Sequence, residues 1–86
     1  MFYVYTLYDA ENDKFYVGYT RDLKRRISEH KQGVVHTTVR FTKIEIVHYE
    51  GFVSEEDALR RERYFKTTKG KRTLRLMLQK TIKTFK

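Results

Sequence analysis

VYTLYDAENDKFYVGYTRDLKRRISEH, residues 4–30, is the stretch whose reading decides the fold. Residues 2–8 (FYVYTLY) are dense in aromatic and β-branched side chains and read as a strand, residues 9–13 (DAEND) are polar and turn-forming, and residues 14–18 (KFYVG) read as a second strand. A hairpin follows directly. Two-residue alternation puts Phe2, Val4, Thr6 and Tyr8 on one face and Tyr3, Tyr5 and Leu7 on the other, and sets Phe15 and Val17 against Tyr16. Tyr5 and Tyr16 are expected on the same face. Gly18 is expected to end the second strand where a side chain would obstruct the next helix or a ligand.

Past the hairpin, Thr20 is the expected N-cap of a helix with Asp22 in its first turn, and the helix is expected to stop at Gly33. On a wheel of about 100° per residue, Leu23 and Ile27 define the apolar stripe, His30 falls beside it and Arg26 lies at its edge, while Arg25 points away. Arg26 can therefore reach the sheet.

Outward from this unit, residues 33–42 (GVVHTTVRFT) carry no period of their own and read as a crossing loop holding His36 and Arg40. Residues 43–49 (KIEIVHY) read as a third strand. Ser54 followed by Asp57 fits a capping box variant opening a second helix that runs to about Lys66, with Ala58, Leu59 and Phe65 on its apolar face. Glu62 falls in the middle of that face. A carboxylate there is costly unless it pairs, so it is expected to point toward the sheet and either hold a metal ion or pair with Arg26. Residues 67–70 (TTKG) break the pattern, and residues 71–83 read as a third helix through Leu74, Met77 and Leu78. The expected fold is a single α+β domain over residues 1–86, a small three-stranded antiparallel sheet with three helices in the order β-β-α-β-α-α.

The net charge of +8 is not evenly spread. Residues 1–63 hold eleven basic and eleven acidic side chains, whereas residues 64–86 hold eight basic and no acidic ones. Lys71, Arg72, Arg75, Lys80 and Lys83 are therefore the expected phosphate-contacting surface, giving salt-dependent affinity that does not read sequence. With no cysteine, disulfides, thiolate metal sites and thiol catalysis are excluded. No run approaches the roughly 18 apolar residues of a membrane span, and no signal-peptide pattern opens the chain. The reading is a soluble, cytoplasmic protein without membrane or disulfide partners, and its oligomeric state is left open.

Tyr5, Tyr16, Arg26, His30 and Glu62 are the candidate catalytic residues. Phosphodiester cleavage needs a proton acceptor, a cation against the charge developing on the phosphate, and help for the leaving oxygen. Arg26 suits the second role, because its planar fork matches phosphate oxygens. Glu62 suits a divalent cation. Tyr5 or Tyr16 could act as base if a cation stabilised the phenolate.

At these residues the chain resembles the GIY-YIG nuclease domain family. Val4-Tyr5-Thr6 stands at the first strand motif and Tyr16-Val17-Gly18 at the second; YVGYTRDLKRRISEH resembles the continuation into the first helix with its arginine at Arg26, and SEEDALRRERYFK resembles the second helix with its glutamate at Glu62. The first motif keeps the central tyrosine without the family's glycine or isoleucine, and no asparagine follows Glu62 where some homing-type members have one. The lysine-rich final helix resembles small bacterial single-domain members related to the nuclease module of the excision-repair incision enzyme. The resemblance implies Mg2+- or Mn2+-dependent, one-metal hydrolysis of DNA, with Glu62 holding the metal and a tyrosine as base. RNA is the second substrate class. A non-catalytic nucleic-acid-binding module with the same fold is the alternative function.

Overall fold

The computed structural model describes residues 1–33 and 44–85. His36, Arg40 and Lys43 lie outside the described residues. The order is β1 (Phe2–Asp9), β2 (Lys14–Thr20), α1 (Leu23–Lys31), β3 (Ile44–Phe52), α2 (Glu55–Phe65), α3 (Thr68–Met77) and α4 (Gln79–Thr84). The sheet is antiparallel in the order β2-β1-β3. This is the α+β fold expected from the sequence, with one short helix more.

Asp9 closes the hairpin. Its Oδ1 accepts from the backbone N–H groups of Glu11 (3.1 Å) and Asn12 (3.4 Å), and Asp13 takes a left-handed φ of 53° that returns the chain. The register sets Tyr5 opposite Gly18 and Leu7 opposite Tyr16, so Tyr5 and Tyr16 share a face as diagonal neighbours. β2 runs two residues further than expected, through Thr20, which pairs with Tyr3. The cap of α1 consequently moves from Thr20 to Asp22, whose side chain accepts from the Arg25 N–H at 3.2 Å.

Two layers cover the sheet. On the face of Val4 and Val17, α2 and α3 build the core with Ala58, Phe65, Leu74 and Leu78. Arg61 fixes α2 to β3 by a forked pair with Glu50 (2.9 and 3.2 Å) and lies 4.2 Å over the Phe65 ring. On the opposite face, that of Tyr5 and Tyr16, α1 packs through His30.

Ser54 is the N-cap of α2, but its side chain makes no capping bond; Glu55, Glu56 and Asp57 in the first turn complement the helix dipole instead. The break expected over residues 67–70 is only a cap, since the Thr67 hydroxyl accepts from Gly70 N–H at 3.0 Å and α3 starts at Thr68. Gly70 is needed because a Cβ there would run into the Tyr64 carbonyl at the end of α2. The last expected helix divides at Leu78, which departs from helical geometry (φ −109°, ψ 22°) while its side chain enters the core.

Candidate nucleic-acid interface

Tyr5 projects from the central strand and lies over Gly18, where a Cβ would collide with the phenol Cζ and Oη. Gly18 is thus an interior strand residue rather than a terminator, and what it admits is the Tyr5 ring. The buried hydroxyl meets His30 Nε2 at 2.8 Å. The Tyr16 ring centroid lies 6.3 Å from that of Tyr5 and 4.9 Å from that of His30. Arg26, one turn before His30, interacts with the Tyr5 hydroxyl and donates from Nη1 to Glu29 Oε1 at 3.1 Å. Its ion-pair partner is therefore Glu29, not Glu62. Tyr5, Tyr16, Arg26 and His30 form one cluster on one face of the sheet.

Burial is the main cause that pushes the Tyr5 phenol up to about 12, against the pull of Arg26, which favours the phenolate. Burial, then the Arg26 charge, holds His30 below its ordinary value. A neutral imidazole whose Nε2 carries no proton can accept from the phenol, which ties Tyr5 to His30. Arg26 is pulled the other way, its cation favoured first by the Tyr5 hydroxyl and then by Glu29.

Glu62 arrives differently. It points inward on α2 as expected, its side chain only 18% exposed, but α2 covers the Val4 face and not the Tyr5 face. Its carboxylate lies 3.2 Å from Lys66 Nζ, and its charge is felt at the hydroxyl of Tyr19 on the same face. Its ion-pair partner is thus Lys66 and not Arg26. Among the described residues no three His, Cys, Asp or Glu side chains gather as a metal cage. A single carboxylate still fits Mg2+ or Mn2+, since Mg2+ keeps several waters and takes its other ligands from one or two carboxylates and substrate phosphates.

The expected basic surface is exposed throughout but is not gathered in one place. Lys71 and Arg75 line a groove of about 630 Å³ with Lys14, Lys66, Phe15 and Tyr16, while Arg72, Lys80 and Lys83 stand outside it. Arg75 is already engaged, pairing with Asp13 at 3.2 Å and lying 5.1 Å from the Phe15 ring centroid. Lys14 and Lys66 carry no signal of that groove in the sequence, since one opens a strand and the other closes a helix. Tyr16 belongs both to the cluster and to the groove.

Comparison with known proteins gives the family. The model of the GIY-YIG catalytic domain matches residues 1–75. A UPF0213 protein of Limosilactobacillus reuteri is 41% identical over 68 residues, spanning 76% of this chain and 70% of its own. One from Natronomonas pharaonis is 37% identical over 81 residues, spanning 92% and 93%. The solution NMR structure of a UPF0213 protein from Bacillus halodurans superposes with a TM-score of 0.54 at 31% identity, covering 90% of this chain and 85% of that one. With the model matched over residues 1–75, most of its length, the chain belongs to the GIY-YIG catalytic domain family.

Proposed function

We propose that this domain binds the phosphodiester backbone of nucleic acid, DNA in the first place and RNA in the second, at the outer edge of β2. The observation that carries the reading is Tyr16, which joins the half-exposed Arg26 cluster to a groove rimmed by Lys14, Lys66, Lys71 and Arg75. Arg26 offers its fork to phosphate oxygens, and the lysines hold the flanking backbone without reading bases.

Hydrolysis is the second reading, favoured by the two phenols beside Arg26, which plain backbone binding does not need. Arg26 would then meet the charge growing on the phosphate. Of the two phenols, Tyr16 is the better proton acceptor, because Tyr5 is buried, bonded to His30 and pushed up to about 12. Glu62, on the other face of the sheet from Arg26, would hold Mg2+ or Mn2+, which would supply Lewis-acid chemistry to a backbone wrapping the outer edge of β2. A place in DNA repair, as for the excision-repair incision module, is part of this second reading.

The test is to incubate folded protein with branched, nicked, flapped and single-stranded DNA and with RNA, each in Mg2+, Mn2+ or EDTA. Salt-sensitive binding weakened by Arg26→Ala supports the first reading, and metal-dependent cleavage lost in Arg26→Ala and Glu62→Gln supports the second. No binding to any of them at low salt refutes both.

A further inference from the structure

The pair of Glu62 and Lys66 stands at an unusual crossing. The Glu62 carboxylate is largely enclosed, whereas the Lys66 side chain is 53% exposed and lines the groove beside β2. The same groove is lined by Lys14 and Lys71, which have no ion-pair partner among the described residues. Its floor is apolar, formed by Phe15, Val17, Phe65 and Leu74. An anionic backbone entering it meets two unneutralised ammonium groups and a third that a long, rotatable stem can turn away from its carboxylate. Holding Lys66 on Glu62 is cheap to undo, because an i, i+4 pair of this kind contributes only about 0.3 to 0.5 kcal/mol. With Lys66 turned away, the Glu62 carboxylate is left without its ion-pair partner, and a divalent cation can take that place.

We propose that this groove receives the nucleic-acid backbone and that Lys66 turns from Glu62 to a phosphate on binding, freeing the carboxylate for a divalent cation. Lys66 is thus a positioning residue that couples occupancy of the groove to the affinity of Glu62 for metal. The proposal rests on the reading of Glu62 as a metal ligand. It adds that the ligand is covered by Lys66 until substrate arrives, so that metal and nucleic acid bind cooperatively. Cooperativity of this kind is reciprocal: DNA tightens metal and metal tightens DNA by the same factor.

The test measures Mn2+ affinity by the electron paramagnetic resonance of free Mn2+, with and without a short duplex whose own Mn2+ uptake is subtracted. Wild type, Lys66→Ala, Lys66→Arg and Glu62→Gln are compared, each shown by circular dichroism to be folded. In the absence of DNA, Lys66→Ala is expected to bind Mn2+ about thirtyfold tighter than wild type, the scale of a divalent ion and one unit charge about 4 Å apart in water. DNA should tighten Mn2+ in wild type and in Lys66→Arg, and far less in Lys66→Ala. A second readout needs no metal: in EDTA, the Glu62 side-chain carboxyl 13C resonance should move on adding DNA in wild type and stay fixed in Lys66→Ala. Poly-glutamate of equal charge should move it little. If DNA binds yet Lys66→Ala changes neither Mn2+ affinity nor its response to DNA, the coupling is wrong while backbone binding stands. If Glu62→Gln binds Mn2+ as wild type does, the metal assignment fails and the coupling with it. If poly-glutamate acts as DNA does, the groove takes acidic peptides instead, and if no nucleic acid binds, the proposal falls together with the function it rests on.

Discussion

Gly18→Ala adds one methyl group at the place where β2 lies under the Tyr5 ring. The new Cβ would meet Tyr5 Cζ and Oη inside contact distance, and Tyr5 cannot lift away easily, being fully buried with its hydroxyl 2.8 Å from His30 Nε2. The backbone offers no objection: Gly33 is the glycine with positive φ, so alanine at position 18 would fit its conformation and even gain about 0.4 to 1 kcal/mol through the unfolded chain. The effect is therefore steric. Overpacking of this size costs about 1 to 3 kcal/mol, and losing the Tyr5–His30 bond adds about 1 more. A net loss of about 2 to 3 kcal/mol lowers the melting temperature of so small a domain by roughly 10 to 20 °C. Thermal unfolding by circular dichroism gives this figure, and a cycle with Tyr5→Leu tests its cause. Leucine is too short to reach Gly18, so the alanine should cost little in that background, with a coupling of about 1 to 3 kcal/mol. An alanine variant as stable as wild type, or one equally damaging beside Tyr5→Leu, would refute the reasoning.

Gly70→Ala should destabilise at least as much, because the obstacle is the Tyr64 carbonyl and not a side chain that can turn aside; urea unfolding should show a lower midpoint at unchanged slope. His30 gives stability a pH dependence whose sign follows from its lowered value: the unfolded imidazole, at about 6.5, binds protons before the folded one does. The contribution is complete above about pH 6.5 and is lost as pH falls through the lower folded value, so wild type should lose more stability from pH 7 to pH 5.5 than His30→Gln does. Glu62→Gln should change the unfolding free energy by about 0.5 kcal/mol or less, as an i, i+4 pair with Lys66 implies; a loss of several kcal/mol in chemical unfolding would point to a buried pair instead.

What could be read from the sequence follows from which interactions are local. The hairpin, the shared face of Tyr5 and Tyr16 and the inward side of α1 all follow from periods of two or 3.6 within short stretches. Which face of the sheet α2 would cover does not, because β1 is apolar on both: Val4 and Tyr8 look one way, Tyr5 and Leu7 the other. The wheel turns Glu62 toward the sheet but cannot choose the side, so the sequence groups it with Arg26 whereas its neighbour in the fold is Lys66. The pairing of Arg75 is hidden for a similar reason, since its partner Asp13 is 62 residues away and no local pattern joins them. Gly18 was recognised as a place where a side chain would obstruct, but the obstructed group lay across the strand.

These placements divide the labour within the proposed site. Tyr5 is fully buried, His30 only 1% exposed, and the two satisfy one another, so neither can meet a phosphate without breaking their bond. Their geometry instead fixes the neighbours that can. Arg26 is held between the Tyr5 hydroxyl and Glu29, which keeps its cation favoured, while the Tyr16 ring rests against His30 and Tyr16 also lines the groove. A catalytic or binding group gains most from supports that lock its rotamer. By this argument Tyr5→Phe should loosen Arg26 without removing any group that touches substrate, and rate or affinity should fall with a salt slope that stays as it was. A fall in slope by about one phosphate contact would instead make Tyr5 a contact residue.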